Sequence, residues 1–133
     1  MSKNIYIIFV AGGSGTRMRT RTPKQFLELA GKPILLHTVQ RFVDALPEAK
    51  VLVVLPKIHF KTWKDICRQA NFEHPQILVE GGITRFHSVK NALSYIRDDD
   101  GIVLVHDGVR PMVSESLIGK LHLGLWTGRV WSP

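Results

Sequence analysis

Short apolar segments alternate with helical patterns along the chain, and this alternation restricts the fold to a few classes. The apolar segments are rich in β-branched residues and show no alternation with polar residues, as in strands buried on both faces of a sheet. They comprise Asn4–Val10, Lys50–Leu55, Gln76–Glu80 and Ile102–His106. Between them, helices are predicted from Ile34 to about Ala45, over Phe60–Ala70 and over Thr84–Ile96. The order predicts an α/β, Rossmann-like fold with a mainly parallel sheet and helices on both faces.

The end of the chain departs from this pattern. Ser114 is placed to cap a last helix that runs through Leu121. We interpret residues 1–120 as the nucleotide-binding half of a domain and residues 121–133 as an atypical hydrophobic tail, with a truncation or frame shift after about Lys120. A sheet that stops after four strands is incomplete on its carboxyl-terminal side and leaves an edge uncovered. We expect marginal stability or self-association unless the tail folds back over that edge.

The charge of the chain points to an anionic partner. Its 133 residues carry 18 Lys and Arg against 11 Asp and Glu, a net charge of +7. Four of these cations fall within eight residues, directly after a glycine-rich segment: Arg17, Arg19, Arg21 and Lys24. Such concentration favours a phosphate site over a diffuse nucleic-acid surface, so we predict no nucleic-acid partner. No apolar stretch is long enough to span a membrane, and a single cysteine, Cys67, is typical of a reducing cytoplasm.

Three segments that contain candidate functional residues follow predicted strands. They are Gly12–Lys24, Gly81–Ser88 and Asp107–Pro111. The carboxyl ends of parallel strands meet at one edge of a sheet, here called the carboxyl edge, so these segments are predicted to form one site.

The first of these segments has the composition of a phosphate-binding loop. Ala11-Gly12-Gly13-Ser14-Gly15-Thr16-Arg17-Met18 is small enough for successive backbone N–H groups to approach phosphate oxygens. It lacks the Gly-Lys-Ser/Thr ending of a P-loop and the third glycine of the dinucleotide fingerprint. Arg17 and Lys24 add charge suited to a triphosphate, and Pro23 restricts the backbone before Lys24.

These motifs resemble the amino-terminal half of the 2-C-methyl-D-erythritol 4-phosphate cytidylyltransferases. The resemblance covers about Ile5 to Leu117 and includes Pro23-Lys24-Gln25-Phe26-Leu27 and Gly31-Lys32-Pro33-Ile34-Leu35-x-His37-Thr38. Gly81-Gly82, Arg85, Ser88-Val89 and His106-Asp107-x-x-Arg110-Pro111 extend it in the same order. Similar motifs occur in ribitol-5-phosphate cytidylyltransferases.

The resemblance implies a function and a set of roles. It implies transfer of a cytidylyl group from CTP to the phosphate of a sugar alcohol, with release of pyrophosphate. Ala11, Gly12, Gly13, Ser14, Gly15, Thr16, Gly82, Arg85 and Ser88 would bind the nucleotide, with Gly82 and Ser88 facing the cytosine and ribose. Arg17 and Lys24 would be catalytic, Asp107 would bind Mg²⁺, and Arg110 would brace the loop around Asp107. The resemblance also implies a homodimer, although the arm that exchanges between subunits is absent from this chain.

Alternative readings stay open at this point. The acceptor is either methylerythritol phosphate or ribitol phosphate, and the chain is either active or an inactive nucleotide-binding fragment. Phe86 could stack on a base, but we predict that it packs in the core, as Cys67 does. The histidines show no metal-ligand spacing.

Overall fold

A computed structural model of the chain describes residues 4–11, 28–29, 31–81, 84–96, 100–107, 116–122 and 125–131. The strands are β1 (Asn4–Val10), β2 (Glu28–Leu29), β3 (Lys32–Pro33), β4 (Lys50–Leu55), β5 (Gln76–Glu80), β6 (Asp100–Asp107), β7 (Ser116–His122) and β8 (Leu125–Trp131). The helices are α1 (Ile34–Ala45), α2 (Phe60–Gln69) and α3 (Arg85–Leu93), and a short 3₁₀ helix spans Lys57–His59. Within the described residues, no helix has the length and apolar character of a membrane span.

The main sheet has six strands in the order β5-β4-β1-β6-β7-β8. β1 pairs in parallel with β4 and β6, and β4 pairs in parallel with β5. In chain order these four strands follow the 3-2-1-4 arrangement of a nucleotide-binding α/β sheet. The predicted α/β fold with a mainly parallel sheet is therefore confirmed.

The helices cover both faces of this sheet, as predicted. One core cluster joins α1 and α2 to β1 and β4, with Leu35, Val39 and Trp63 packed against Ile7 and Phe9. Cys67 belongs to the same cluster. On the other face, Val89 and Ala92 of α3 pack with a second cluster that contains Tyr6, Ile8, Leu52, Val54, Val79, Val103 and Val105. Successive side chains of each strand point to opposite faces, so β1 and β4 contribute to both clusters and most of their side chains are buried.

The prediction of a last helix through Leu121 is wrong, because Ser116–His122 forms strand β7. β7 pairs antiparallel with β6, and β8 pairs antiparallel with β7. Gly119 would cost that helix about 1 kcal/mol, whereas as a strand the segment pairs with both β6 and β8. β7 thus covers the edge of β6 whose backbone groups would otherwise lack partners, and the tail extends the sheet further as β8.

A second two-stranded sheet, β2 with β3, lies before α1 and was not predicted. Gly31 joins the two strands with a φ of 82°, a backbone conformation that favours glycine. This turn sets the direction in which the chain enters α1, directly after the segment that carries Lys24.

Candidate functional site

The carboxyl ends of β1 and β6 lie side by side at the centre of the sheet. Val10 and Asp107 are register partners in the parallel pairing of these strands. Strand order reverses here, because β4 and β5 lie on one side of β1 and β6 lies on the other. Ligands of open α/β sheets bind at such a point, outside the carboxyl ends of the strands.

Ala11 fixes the start of the glycine-rich segment at this point. It is buried, and its backbone N–H donates to the carbonyl oxygen of Val54 at 2.9 Å. That bond anchors the chain to the end of β4, so the geometry gives Ala11 the role of positioning the loop that follows. Gly12, Gly13, Ser14, Gly15, Thr16, Arg17 and Lys24 lie outside the described residues, and their predicted roles stay predictions.

Asp107 occupies the last position of β6 and is partly buried. By strand alternation it lies on the same face as Val103 and Val105, which is the face covered by α3. The described residues contain no group of three or more His, Cys, Asp and Glu that could hold a metal together. A single carboxylate fits Mg²⁺ nonetheless, because this ion often binds one or two carboxylates and completes its shell with substrate phosphates and water.

His106 is a supporting residue whose role the sequence analysis did not identify. Its side chain is fully buried on the face opposite to Asp107. The imidazole lies 4.8 Å from the ring of Phe42 and 6.4 Å from the ring of Phe9, measured between centroids. These contacts join the end of β6 to α1 and β1, and alternation then directs Asp107 toward α3. The sequence feature that could have indicated this role is a histidine at the end of an apolar strand.

α3 begins at the carboxyl edge, close to the end of β5. Thr84 is its N-cap, and the Thr84 hydroxyl oxygen accepts from the backbone N–H of His87 at 3.1 Å. Asn91 ties the helix to β5, because its Nδ2 donates to the carbonyl oxygen of Glu80 at 3.2 Å. The positive end of the helix dipole therefore faces the carboxyl edge, where it favours anionic groups.

The predicted nucleotide-binding residues around α3 are only partly described. Ser88 is 2% exposed and lies in the packing between the helix and the sheet. Arg85 is the first residue of α3 by its backbone. Gly82 and Arg110 lie outside the described residues. The structure thus brings Ala11, Ser88 and Asp107 to one end of the sheet, and the nucleotide contacts of all these residues stay predictions.

Phe86 contradicts the prediction that it packs in the core, because its side chain is 71% exposed. The positions of α3 that face the sheet are taken by Ser88, Val89 and Ala92, which leaves Phe86 on the flank of the helix. Gly81, directly after β5, donates its N–H to the carbonyl oxygen of Leu55 at 2.9 Å, which joins the end of β5 to the end of β4.

Comparisons with known proteins identify a matching family. The family model for IspD, 2-C-methyl-D-erythritol 4-phosphate cytidylyltransferase, matches residues 5–127. A protein of that name from Azobacteroides pseudotrichonymphae is 47% identical over 116 residues, which cover 87% of this chain and 52% of the relative. One from Phocaeicola vulgatus is 45% identical over 130 residues, covering 98% of this chain and 59% of the relative. The chain thus spans somewhat more than half the length of these relatives.

Solved structures give the same result. A 4-diphosphocytidyl-2C-methyl-D-erythritol synthase from Anaerococcus prevotii superposes with a TM-score of 0.67 at 29% identity, over 84% of this chain and 46% of the other. The bifunctional IspDF of Campylobacter jejuni superposes with a TM-score of 0.62 at 30% identity, over 84% of this chain and 28% of the other.

Proposed function

This chain belongs to the 2-C-methyl-D-erythritol 4-phosphate cytidylyltransferase family, and from that premise we propose that it transfers a cytidylyl group from CTP to 2-C-methyl-D-erythritol 4-phosphate. The reaction releases pyrophosphate and belongs to non-mevalonate isoprenoid precursor synthesis. The observation that carries the proposal is the pairing of Val10 with Asp107, which puts a carboxylate beside the end of β1, and the glycine-rich segment follows that strand in sequence.

The proposed chemistry is one in-line displacement. A phosphate oxygen of the acceptor attacks the α-phosphorus of CTP and forms a new P–O bond. The bond from the α-phosphorus to the oxygen that bridges to the β-phosphate breaks, and pyrophosphate leaves with that electron pair. The product is a cytidine diphosphate alcohol, and no covalent enzyme intermediate is needed. The protein contributes by positioning and by stabilising negative charge on phosphate oxygens.

Each residue of the proposed site has a part in this displacement. Backbone N–H groups of residues 12–15 hold the triphosphate, and Arg17 and Lys24 stabilise the charge that grows on the oxygens of the α-phosphate and the leaving group. Asp107 would hold Mg²⁺, with phosphate oxygens of the nucleotide as further ligands. When bound, the ion supplies positive charge to the triphosphate. Gly82, Arg85 and Ser88 hold the cytidine, and Arg110 braces the segment that follows Asp107.

Two broader properties belong to the proposal as well. The single cysteine and the metabolic function of the family support a cytoplasmic location. The homodimer that the resemblance implies is testable by sedimentation equilibrium of the purified chain.

The test of the proposed function is product formation from each of two acceptors. The purified chain is incubated with CTP, Mg²⁺ and either 2-C-methyl-D-erythritol 4-phosphate or ribitol 5-phosphate, and the products are identified by phosphorus NMR. We expect a diphosphate diester and pyrophosphate with methylerythritol phosphate over many turnovers. Turnover with ribitol 5-phosphate alone, or no turnover by folded chain that binds CTP, contradicts the proposal.

A further inference from the structure

An aromatic ring lies exposed beside the proposed nucleotide site. The large hydrophobic side chains exposed in the described part of the chain are Ile58, Ile77, Phe86 and Tyr95. Phe86 differs from Ile77 and Tyr95 because it lies in the first turn of α3, the turn that faces the carboxyl edge. It differs from Ile58 because it carries a planar π surface. Exposing a phenyl ring to water is unfavourable, so its position beside a ligand site calls for an explanation.

The ring is held by neighbouring side chains. The Thr84 hydroxyl oxygen lies 2.7 Å from Nδ1 of His87, and it also caps the helix through the His87 backbone N–H. The imidazole of His87 in turn packs edge-to-face on the ring of Phe86, with an interplanar angle of 77° and a centroid distance of 5.8 Å. Thr84 and His87 thus support Phe86, and at 71% exposure most of its surface remains open. A supported ring loses little conformational entropy when a ligand binds to it.

The helix geometry directs Phe86 toward the site. Val89 and Ala92 face the sheet, and the hydrogen bond from Asn91 to the Glu80 carbonyl shows which flank of α3 faces β5. Phe86 precedes Asn91 by five residues, which is about 140° around a helix of 3.6 residues per turn. It therefore lies on the flank of α3 opposite to Asn91, which is directed away from β5 and toward the side of the sheet that carries β1 and β6.

From this placement we propose that Phe86 stacks on the pyrimidine ring of the bound nucleotide. The inference rests on the proposed function, because it takes CTP as the ligand. A supported, open aromatic face is suited to a planar heteroaromatic ring, and stacking of this kind contributes substantially to binding for any base. Hydrogen bonds to the edges of the base come from other groups, so Phe86 contributes affinity for a nucleobase and not selectivity for cytosine.

The test is calorimetric titration of the whole chain and its Phe86 variants with ligands that have or lack a base. Phe86→Leu keeps an apolar side chain without a π face, and Phe86→Tyr restores the π face. We expect Phe86→Leu and Phe86→Ala to raise the Kd for CTP and for UTP by about 10-fold, and Phe86→Tyr to stay within about 2-fold of the unmodified chain. The Kd for inorganic triphosphate, which has no base, is expected to be unchanged in every variant.

Tyr95→Ala is the matched control, because Tyr95 is an exposed aromatic residue just beyond the other end of α3. It is expected to leave all the dissociation constants unchanged. An unchanged Kd for CTP in Phe86→Leu overturns the stacking role, and so does an equal weakening of inorganic triphosphate. If the unmodified chain binds neither CTP nor triphosphate, both the proposed function and this inference fail. Binding of both ligands without dependence on Phe86 contradicts this inference alone.

Discussion

Val10 and Asp107 are paired residues at the carboxyl ends of two neighbouring parallel strands, β1 and β6. Neighbouring strands are about 4.8 Å apart, so the chain that leaves β1 starts within one strand spacing of the Asp107 backbone. The segment that leaves β1 is the glycine-rich one, anchored by the bond from Ala11 to Val54. This relationship places a carboxylate beside the residues at which the predicted phosphate loop begins, and it underlies the predictions about ligand binding that follow.

Replacement of Asp107 by asparagine is expected to reduce the effect of Mg²⁺ on nucleotide binding. The amide is nearly isosteric with the carboxylate but carries no charge, so it is a poorer ligand for a hard cation. We predict that this variant binds CTP in the presence of Mg²⁺ with a Kd about 10-fold higher than that of the parent. Its Kd would then approach the value measured without Mg²⁺. Calorimetric titrations with and without Mg²⁺ measure this coupling. Asp100→Asn, at the other end of β6, is the control, and an unchanged Mg²⁺ dependence in Asp107→Asn would exclude the metal role.

Removal of either predicted catalytic cation is expected to slow the reaction strongly. In the proposed function, Arg17→Ala and Lys24→Ala would each remove a charge that stabilises oxygens of the transition state. The loss of one such donor typically lowers turnover by about 10²–10³-fold. Steady-state pyrophosphate release measures the effect, and Arg68→Ala, an exposed cation on α2, is the control. Rates for Arg17→Ala and Lys24→Ala within 3-fold of the parent rate would rule out their catalytic role.

Gln76 is expected to stabilise the fold through a buried indole. Its Oε1 accepts from Nε1 of Trp63 at 2.9 Å, and its Nε2 donates to Sγ of Cys67 at 3.4 Å. Trp63 is fully buried, so Gln76→Leu leaves its N–H without this partner. An unsatisfied buried donor costs about 1–3 kcal/mol, and we predict a decrease of that size in the free energy of unfolding. Urea denaturation measures it, with Gln69→Leu on the exposed face of α2 as the control; equal stability of both variants would refute the prediction.

Cys67 is expected to make stability depend on pH in the alkaline range. Burial raises the pKa of the Cys67 thiol, and its hydrogen bond with Gln76 only partly opposes this effect. The folded chain therefore keeps a proton that the unfolded chain releases above the ordinary thiol pKa of about 8.5. The protonated thiol therefore contributes its full stabilisation below the ordinary thiol pKa, and this stabilisation is lost as the pH rises through the raised pKa of Cys67. Between about pH 7 and pH 9.5, urea denaturation should show a larger decrease in the free energy of unfolding for the parent than for Cys67→Ala. Equal decreases in the two proteins would contradict the assignment of this pH dependence to Cys67.

Much of the fold could be predicted because local pattern and tertiary environment agree. The predicted strands Asn4–Val10, Lys50–Leu55 and Gln76–Glu80 have the same bounds in the structure. These strands are apolar along their length because both faces of the sheet are covered. Leu36, Val39 and Phe42 share the buried stripe of α1 that their spacing indicates. The carboxyl-terminal region differed because strand pairing with β6 overrode a weak helical signal around Leu117.

The candidate site could be predicted in its parts but not in its arrangement. The residue types around Gly12 and Asp107 indicate phosphate chemistry, whereas the adjacency of Val10 and Asp107 depends on strand order, which no local pattern contains. The role of His106 depends on rings contributed by β1 and α1, which are distant in sequence. The exposure of Phe86 was missed because an apolar residue in an amphipathic helix is typical of a core position.

The most direct test of the site is to map CTP binding onto the chain by amide NMR. A titration of ¹⁵N-labelled chain with CTP and Mg²⁺ reports every backbone N–H that senses the ligand. We predict that the amide signals that shift are those of Ala11, Asp107 and residues 84–88, together with the glycine-rich segment. Asn4, Lys50 and Gly101, at the opposite ends of the same strands, should remain unchanged. Shifts confined to that opposite edge, or no shifts at millimolar CTP, would contradict a nucleotide site at the carboxyl edge.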